Sequence, residues 1–106
     1  MKIKVYQIPC ERDPRMLKFF NFEKTKKYGG VMAEEYRCVF DGEVEAENLE
    51  QVFAVLNQRK KPFNYHGHNL SVSDVVETQE GYYFCDSIGF VKLENFSVEE
   101  GKKINE

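Results

Sequence analysis

Three short apolar runs near the C-terminal end of the chain, separated by tight turn signals, narrow the choice of folds more than any other feature. The runs at 75–77, 82–85 and 90–93 predict three β-strands, because they are short and rich in β-branched and aromatic residues. Glu80-Gly81 predicts the first turn and 87–89 predicts the second. Strands joined by turns this short run antiparallel, so this part of the chain is a predicted β-meander.

Further strands are predicted ahead of the meander. Alternating apolar residues over 2–8 predict a half-exposed N-terminal strand, which ends at Pro9 because proline lacks the backbone N–H that a strand needs. The run at 35–40 predicts a second strand, with Asp41-Gly42 as a turn and 43–45 as a short return strand. The sheet is therefore expected to contain about five short strands.

The clearest helix is predicted over 48–57. Its apolar residues recur at helical spacing and form one stripe, made of Leu49, Val52, Phe53 and Leu56. Asn48 is the predicted N-cap, and Gln51 is placed three residues later to reach back as in a capping box.

A second helical region is predicted between 13 and 28. Asp13-Pro14 is a good helix start, and Asn21 is an alternative cap for a shorter helix over 22–28. The pattern leaves open whether this region forms two short helices or one broken helix.

The order of these elements predicts an α+β fold. The expected architecture is a small mixed or antiparallel sheet of about five short strands, with two to three helices packed on one face. Residues 1–96 are predicted to form one domain, and the polar segment 97–106 is predicted to be a frayed tail.

Length and composition exclude several classes of protein. With 106 residues, of which 42% are apolar, the chain can form one domain with a modest core. A net charge of -3 argues against a strong nucleic-acid binder as a whole. The sequence shows no signal-peptide pattern and no apolar run that could span a membrane, and its three widely spaced cysteines are typical of thiols in a reducing compartment. The expected location is the cytoplasm, with neither a membrane nor a small-molecule substrate as partner.

Charge is unevenly distributed along the chain. One stretch without any basic residue carries an acidic run, which consists of Asp41, Glu43, Glu45, Glu47 and Glu50. Such a run is most simply a solvated face, and the alternative is a surface that meets a basic partner and steers its approach. Two basic clusters are candidate RNA-contacting residues, because lysine and arginine beside an aromatic side chain can bind a stacked base. They are Lys24, Lys26 and Lys27, and Arg59, Lys60 and Lys61.

The segment 62–90 is the most distinctive in composition. Its serine, aspartate and glycine residues predict a structural motif, made of Gly67, Ser71, Ser73, Asp74, Asp86 and Gly89. Ser71 is expected to cap a helical turn over 72–74, and Asp74 is expected to accept backbone N–H bonds. Asp86-Ser87 is expected to form an Asx-type turn before Gly89. Both Gly67 and Gly89 are expected where a Cβ is excluded or φ is positive.

The same segment resembles the YodL-like domain family. The resemblance is carried by Gly-His-Asn-Leu-Ser-Val-Ser-Asp-Val-Val at 67–76, followed by Tyr82-Tyr83, Asp86 and Gly89-Phe90. The preceding Asn57 and the run at 62–65 fit the same pattern, and weaker similarity at 36–42 and in the helix after Asn48 extends it over most of the chain. Two departures are Asn69, where the family commonly has serine, and Cys85, where an aliphatic residue is usual.

The resemblance implies a protein of conjugative transposons and plasmids, with no established enzymatic chemistry and no cofactor. Small proteins of this kind are also similar to plasmid-encoded type II anti-CRISPR proteins. The implied function is anti-defence without catalysis: the chain would inhibit a Cas9-type nuclease by binding the effector or by interfering with guide-RNA loading. The acidic run would be the contact surface. The alternatives are an accessory protein- or RNA-binding module of a conjugative element and a metal-dependent nuclease.

The two histidines are the strongest candidates for chemistry. His66 and His68 are two residues apart in an extended segment, which puts both rings on one side, and Asp74, Asp86 or Cys85 is a candidate third metal ligand. The favoured interpretation has no metal, with one histidine bonded to the backbone and the other exposed. A hydrolase is disfavoured because the serines near His68 lack the strand–nucleophile–helix elbow.

Overall fold

The computed structural model of the protein describes residues 1–96 and shows an α+β fold built on one antiparallel sheet. The strands of this part of the chain are β1 (Lys2–Gln7), β2 (Arg37–Glu43), β3 (Val75–Thr78), β4 (Gly81–Cys85) and β5 (Phe90–Leu93). Their order across the sheet is β2-β1-β3-β4-β5, and every neighbouring pair is antiparallel. The predicted meander is confirmed as β3, β4 and β5.

The N-terminal strand lies inside the sheet, between β2 and β3. Ile3 and Val5 pack in one hydrophobic cluster, whereas Tyr6 and Ile8 pack in another, and all four side chains are buried. The predicted alternation is confirmed, but the predicted half exposure is wrong, because both faces of the sheet are covered. β1 is therefore the strand that joins the two cores.

The predicted turn at Asp41-Gly42 and the return strand after it are wrong. β2 continues through both residues, with Asp41 opposite Lys4 and Gly42 opposite Ile3. The turn signal is overridden because β1 pairs with β2 through Asp41, Gly42 and Glu43. Gly42 is suited to this position because a Cβ there would lie 3.0 Å from the Phe40 ring.

The helices of the described residues are α1 (Phe22–Lys27) and α2 (Leu49–Leu56), with a single 3₁₀ turn at Ala33–Glu35. Both predicted caps are confirmed: the Asn21 side chain accepts from the Lys24 N–H at 2.9 Å, and the Asn48 side chain accepts from the Gln51 N–H at 2.9 Å. The Gln51 side chain reaches back to the N–H of Glu47 at 2.8 Å, one residue before the cap. These bonds satisfy N–H groups that a helix start otherwise leaves without partners.

No helix forms at Asp13, although its carboxylate makes cap-like bonds. It accepts from the N–H of Leu17 at 2.9 Å and of Lys18 at 3.0 Å. Met16 and Phe19 have φ of 55° and 71°, and this left-handed conformation prevents the turns from propagating as a helix. The segment is a fixed series of turns that leads into α1.

The two helices belong to different faces of the sheet, which differs from the predicted single helical layer. Val52 and Leu56 of α2 pack with Val5 and Val76 in the first cluster. Phe22 of α1 packs with the second cluster, and its ring meets the Phe84 ring edge-on at 5.3 Å. The sheet is consequently the middle layer, with α2 on one side and α1 and the turns before it on the other.

Within residues 1–96, no helix is both long and apolar enough to cross a membrane. No disulfide joins Cys10, Cys38 and Cys85. Burial raises the pKa of the Cys85 thiol to about 12, so this thiol stays protonated near neutral pH.

Candidate functional site

The acidic run is exposed throughout. All five of its carboxylates are exposed, while the alternating residues Val44 and Ala46 turn inward. Asp41 and Glu43 end β2, Glu45 and Glu47 lie in the connection to α2, and Glu50 lies in the first turn of α2. A carboxylate in that first turn is stabilised by the positive end of the helix dipole.

The first two carboxylates of the run face lysines across the sheet. Lys4 is the cross-strand partner of Asp41, and Lys2 is the partner of Glu43. Opposite charges on directly paired residues attract each other across a sheet. Glu45, Glu47 and Glu50 lie beyond the end of β2, and none of them has a lysine paired with it across the sheet.

Glu50 lines two adjoining hollows between α2 and the meander, and Glu47 lines the second of them. The larger, of about 530 Å³, has Phe53, Leu70 and Phe90 as apolar lining and Glu50 and Asp86 at its rim. The second, of about 340 Å³, shares Glu50 and Phe90 with the first and continues past Tyr83 to Glu47 and Glu80.

A third hollow, of about 450 Å³, shares Glu47 and Glu80 with the second and reaches Glu43 and Lys2. We call the three together the acidic groove. Its rim is formed by Glu43, Glu47, Glu50, Glu80 and Asp86, and its apolar floor by Phe53, Leu70, Tyr83 and Phe90. Among the described residues 1–96, the groove has one basic lining residue, Lys2. Lys92 lies nearby, paired with Tyr83 on the same face of the sheet. The groove combines negative charge with exposed apolar surface.

The floor of the groove could not be read from the sequence. The helical stripe predicts Phe53 as a core residue, but Phe53 is 39% exposed. Tyr83 and Phe90 approach α2 only because their side chains project from β4 and β5 on the face of the sheet that this helix covers. Strand alternation shows which residues share a face, but not which helix covers that face.

Asp86 has a structural role at the end of this groove. Its carboxylate accepts from the Ser87 N–H at 2.8 Å and from the Phe22 N–H at 3.1 Å, which ties the β4–β5 turn to the start of α1. The Asp86 N–H donates to the Gly89 carbonyl at 3.0 Å, and Gly89 has φ of 74°. The predicted Asx-type turn is wrong, because the Asp86 carboxylate accepts from the next N–H and not from the one two residues on, and the backbone bond to Gly89 closes the turn.

Asp74 is the centre of a buried polar network. Its side chain has no exposed surface, and its Oδ2 accepts from the Ser71 N–H at 2.8 Å and from Gln7 Nε2 at 3.0 Å. Burial raises the pKa of this carboxyl to about 7, although both hydrogen bonds and the Lys18 charge act in the opposite direction. The predicted acceptance of backbone N–H bonds is confirmed.

The predicted helical turn capped by Ser71 is wrong. The Asp74 N–H bonds to the Ser71 carbonyl at 3.1 Å in a tight turn, and the Ser71 hydroxyl bonds instead to the Asn69 carbonyl at 3.1 Å. Ser73 has φ of 85°, and its Oγ accepts from the Phe19 N–H at 3.0 Å. Both hydroxyls therefore hold loops.

Gln7 was not predicted to belong to this network. Its Nε2 also donates to the Tyr65 hydroxyl at 3.2 Å and to the His68 carbonyl at 3.0 Å. A Cβ on Gly67 would lie 2.2 Å from Gln7 Oε1, which explains the glycine. The sequence feature that could have indicated its role is its position, because Gln7 is a polar residue that follows Ile3 and Val5 on the apolar side of β1.

His66 and His68 both line one small hollow of about 190 Å³, as does Gly67 between them. His68 Nδ1 lies 2.6 Å from the Asn69 carbonyl and donates to it, which leaves Nε2 to accept from Lys18 Nζ at 2.8 Å. Burial lowers the pKa of His68, and the neighbouring Lys18 charge lowers it further.

Two of the three candidate third metal ligands, Asp74 and Asp86, are held by other contacts. Asp74 is bonded to Gln7 and Ser71, and Asp86 holds the β4–β5 turn. Across residues 1–96, no three histidine, cysteine or carboxylate side chains come together as a metal site.

The two basic clusters start from elements on opposite faces of the sheet. Lys24, Lys26 and Lys27 lie on or near α1, with Lys24 Nζ 5.2 Å from the Phe20 ring and Lys26 Nζ 5.6 Å from the Phe22 ring. Arg59, Lys60 and Lys61 follow α2, and the nearby Phe63 is fully exposed. The candidate RNA-contacting residues therefore do not form one continuous surface.

A comparison with protein families matches residues 2–96 to the YodL-like domain. The chain belongs to this family. The YodL-like domain includes every strand and helix described above, while the predicted tail at 97–106 lies outside the described residues. Comparisons with curated proteins and with solved structures gave no match.

Within this YodL-like domain, the residues that carried the resemblance are mainly structural. Gly67 makes room for Gln7, Asp74 organises the buried network, and Asp86 with Gly89 forms the last turn. The acidic groove shares Leu70, Tyr83, Asp86 and Phe90 with the residues of the resemblance, whereas its other carboxylates come from positions outside that motif.

Proposed function

We propose that this YodL-like domain is a binding protein without catalytic activity, and that its acidic groove takes up a basic segment of a protein partner. The observation that carries the proposal is the adjacency of three hollows that share lining residues, with carboxylates at the rim and aromatic rings on the floor. Carboxylates steer and orient a lysine- or arginine-rich partner, whereas the apolar floor supplies the surface whose burial favours association.

The partner we propose is a nucleic-acid-binding protein of bacterial defence, specifically a Cas9-type effector. Such effectors hold the guide–target heteroduplex in a positively charged channel, which a small acidic protein can occupy in place of nucleic acid. The proposed outcome is inhibition, either of the loaded effector or of guide-RNA loading. The resemblance to proteins of mobile elements supports this choice of partner, and the charge of the groove supports the mode of binding.

The first experiment tests inhibition in a defined cleavage assay. The triple variant Glu43→Lys, Glu47→Lys, Glu50→Lys reverses the charge of the groove, and we expect it to lose inhibition that the wild type shows. The matched control Glu23→Lys, Glu34→Lys, Glu94→Lys changes the net charge by the same amount at exposed sites outside the groove. Loss of inhibition in both triple variants would point to net charge alone and would contradict the groove.

A second measurement separates the groove from the choice of effector. A fluorescent peptide that alternates lysine with leucine is titrated with the wild type and with both triple variants. We expect only the groove variant to lose binding. Peptide binding without inhibition of several Cas9 orthologues at high excess would retain the groove and reject the Cas9 assignment, which favours an accessory module of a conjugative element.

A further inference from the structure

A second surface is formed by the turns at 13–20. Met16 and Phe19 both have left-handed backbone conformations, and their side chains are 76% and 56% exposed. Non-glycine residues rarely adopt this conformation, because the Cβ clashes with the backbone. The strained backbone at these two residues does not bury their large apolar side chains.

The conformation of this loop is fixed by bonds to its backbone. The Asp13 carboxylate holds two of its N–H groups, and the Ser73 hydroxyl holds the Phe19 N–H at 3.0 Å. Lys18, between the two exposed residues, donates to the Ile8 carbonyl. Phe19 is therefore held outward in a preformed position, which lowers the entropy lost when a ligand binds.

Phe19 stands beside the small hollow of about 190 Å³ that the histidines line. Its ring lies 5.8 Å from the His68 ring and 5.1 Å from Lys18 Nζ, and both of these residues line the hollow. Lys18 and Arg37 bring two positive charges to the lining, against one carboxylate among the described residues, Glu11, which pairs with Arg37 at 3.3 Å.

We propose that this hollow and Phe19 form a binding site for single-stranded nucleic acid, with a backbone phosphate in the hollow and a base stacked on the Phe19 ring. Exposed aromatic rings beside a cationic groove are how proteins bind single strands without reading sequence. A duplex keeps its bases stacked inside and does not offer one to Phe19. The site is independent of the proposed groove function, because the hollow and the acidic groove have no lining residue in common within residues 1–96.

The positive charge of residues 12–28 suits an anionic partner, and the aromatic rings among them favour a nucleic-acid strand over an acidic protein. Residues 12–28 contain six basic and two acidic side chains, although the whole chain is net negative. Aromatic rings are interspersed among these basic side chains: Lys24 lies over the Phe20 ring, and Tyr28 is 59% exposed. Further phosphates and bases of the same strand can follow this path along α1.

The test is fluorescence anisotropy with labelled oligonucleotides of about eight nucleotides, the length of a typical single-strand site. Single-stranded RNA, single-stranded DNA and the corresponding duplex are titrated at low and at raised salt. We expect either single strand to bind more tightly than the duplex, and affinity to fall as salt rises. The absence of binding at low salt, or equal binding of the duplex, would overturn the proposal.

Two substitutions test the residues. We expect Phe19→Ala to weaken binding about fivefold or more, and Phe19→Trp to retain it. The matched control is Phe63→Ala, which removes a fully exposed phenylalanine beside Arg59–Lys61 and should leave binding unchanged. Unchanged affinity in Phe19→Ala, or a loss in Phe63→Ala instead, would refute the assignment.

Arg37→Gln tests the phosphate contact. It should reduce the slope of log affinity against log salt by about one, whereas Lys60→Gln should not. An unchanged slope for Arg37→Gln would remove Arg37 from the site. The charge-reversed groove variant should still bind the oligonucleotide, so failure of this site and failure of the proposed inhibition are distinguishable.

Discussion

At the scale of single residues, the distinctive polar side chains of this domain serve the fold. Asp74 has no exposed surface and gives up most of its hydration, and Oδ1, the second carboxylate oxygen, has no hydrogen-bond partner among the described residues. A buried carboxylate of this kind favours its neutral form, in line with its raised pKa of about 7. Its charge state therefore links the stability of the domain to pH.

We expect Asp74→Asn to make stability less dependent on pH. Because the folded pKa lies above the unfolded one, the folded state binds more protons between about pH 4 and pH 7, and the wild type loses stability as pH rises through this range. Asparagine mimics the neutral acid and does not titrate. When the pH is raised from about 5 to 8, the wild type should therefore lose about 2–3 kcal/mol of unfolding free energy relative to the variant. Urea unfolding at both pH values measures this, and a constant difference would contradict it.

At the scale of elements, the sequence patterns predicted those strands and helices whose local signals agree with their surroundings. The meander and α2 were found to within one or two residues, because turn residues and a capped apolar stripe define them locally. Asp41-Gly42 was misassigned because pairing with β1 overrides a turn signal that is local. The turns after Asp13 were misassigned because the bond from the Phe19 N–H goes to Ser73, a residue distant in sequence.

In the candidate site too, features set by local sequence could be predicted, whereas features set by distant contacts could not. Exposure of the acidic run could be predicted, because its charges alternate with apolar residues. The aromatic floor could not, because it requires knowing that α2 lies on the same sheet face as Tyr83 and Phe90.

The cap of α2 gives a prediction at this scale. Asn48→Ala removes the acceptor for the Gln51 N–H, and we expect it to lower the free energy of unfolding by about 1 kcal/mol. Asn48→Asp keeps an acceptor at the same position and should stay close to the wild type. Chemical denaturation measures both variants, and equal losses in the two would show that the cap bond is not the cause.

At the scale of the whole molecule, β1 couples two hydrophobic cores. Ile3 and Val5 belong to the core under α2, whereas Tyr6 and Ile8 belong to the core on the other face. Neither core can lose its order without disturbing the same central strand. The domain should consequently unfold as one cooperative unit.

One substitution in each core tests this coupling. Leu56→Ala should cost about 2–5 kcal/mol and Phe84→Ala about 3–5 kcal/mol, because both side chains are fully buried. In each variant, the near-ultraviolet signal of the tyrosines and the far-ultraviolet signal of the backbone should change at the same temperature. Separate transitions in either variant would show that the cores are independent.

The central position of the first strand has a consequence for how the chain acquires its structure during synthesis. Val5 pairs with Phe40 on one side and with Val76 on the other, so β1 leaves the ribosome before both of its neighbours and finds the second of them only when the meander has emerged. Until then, one edge of a strongly apolar strand remains open to pairing with other chains. The nascent protein is thus most prone to aggregation before Val76 emerges, and pairing between residues so far apart in sequence makes folding slower than in a helical bundle of similar size.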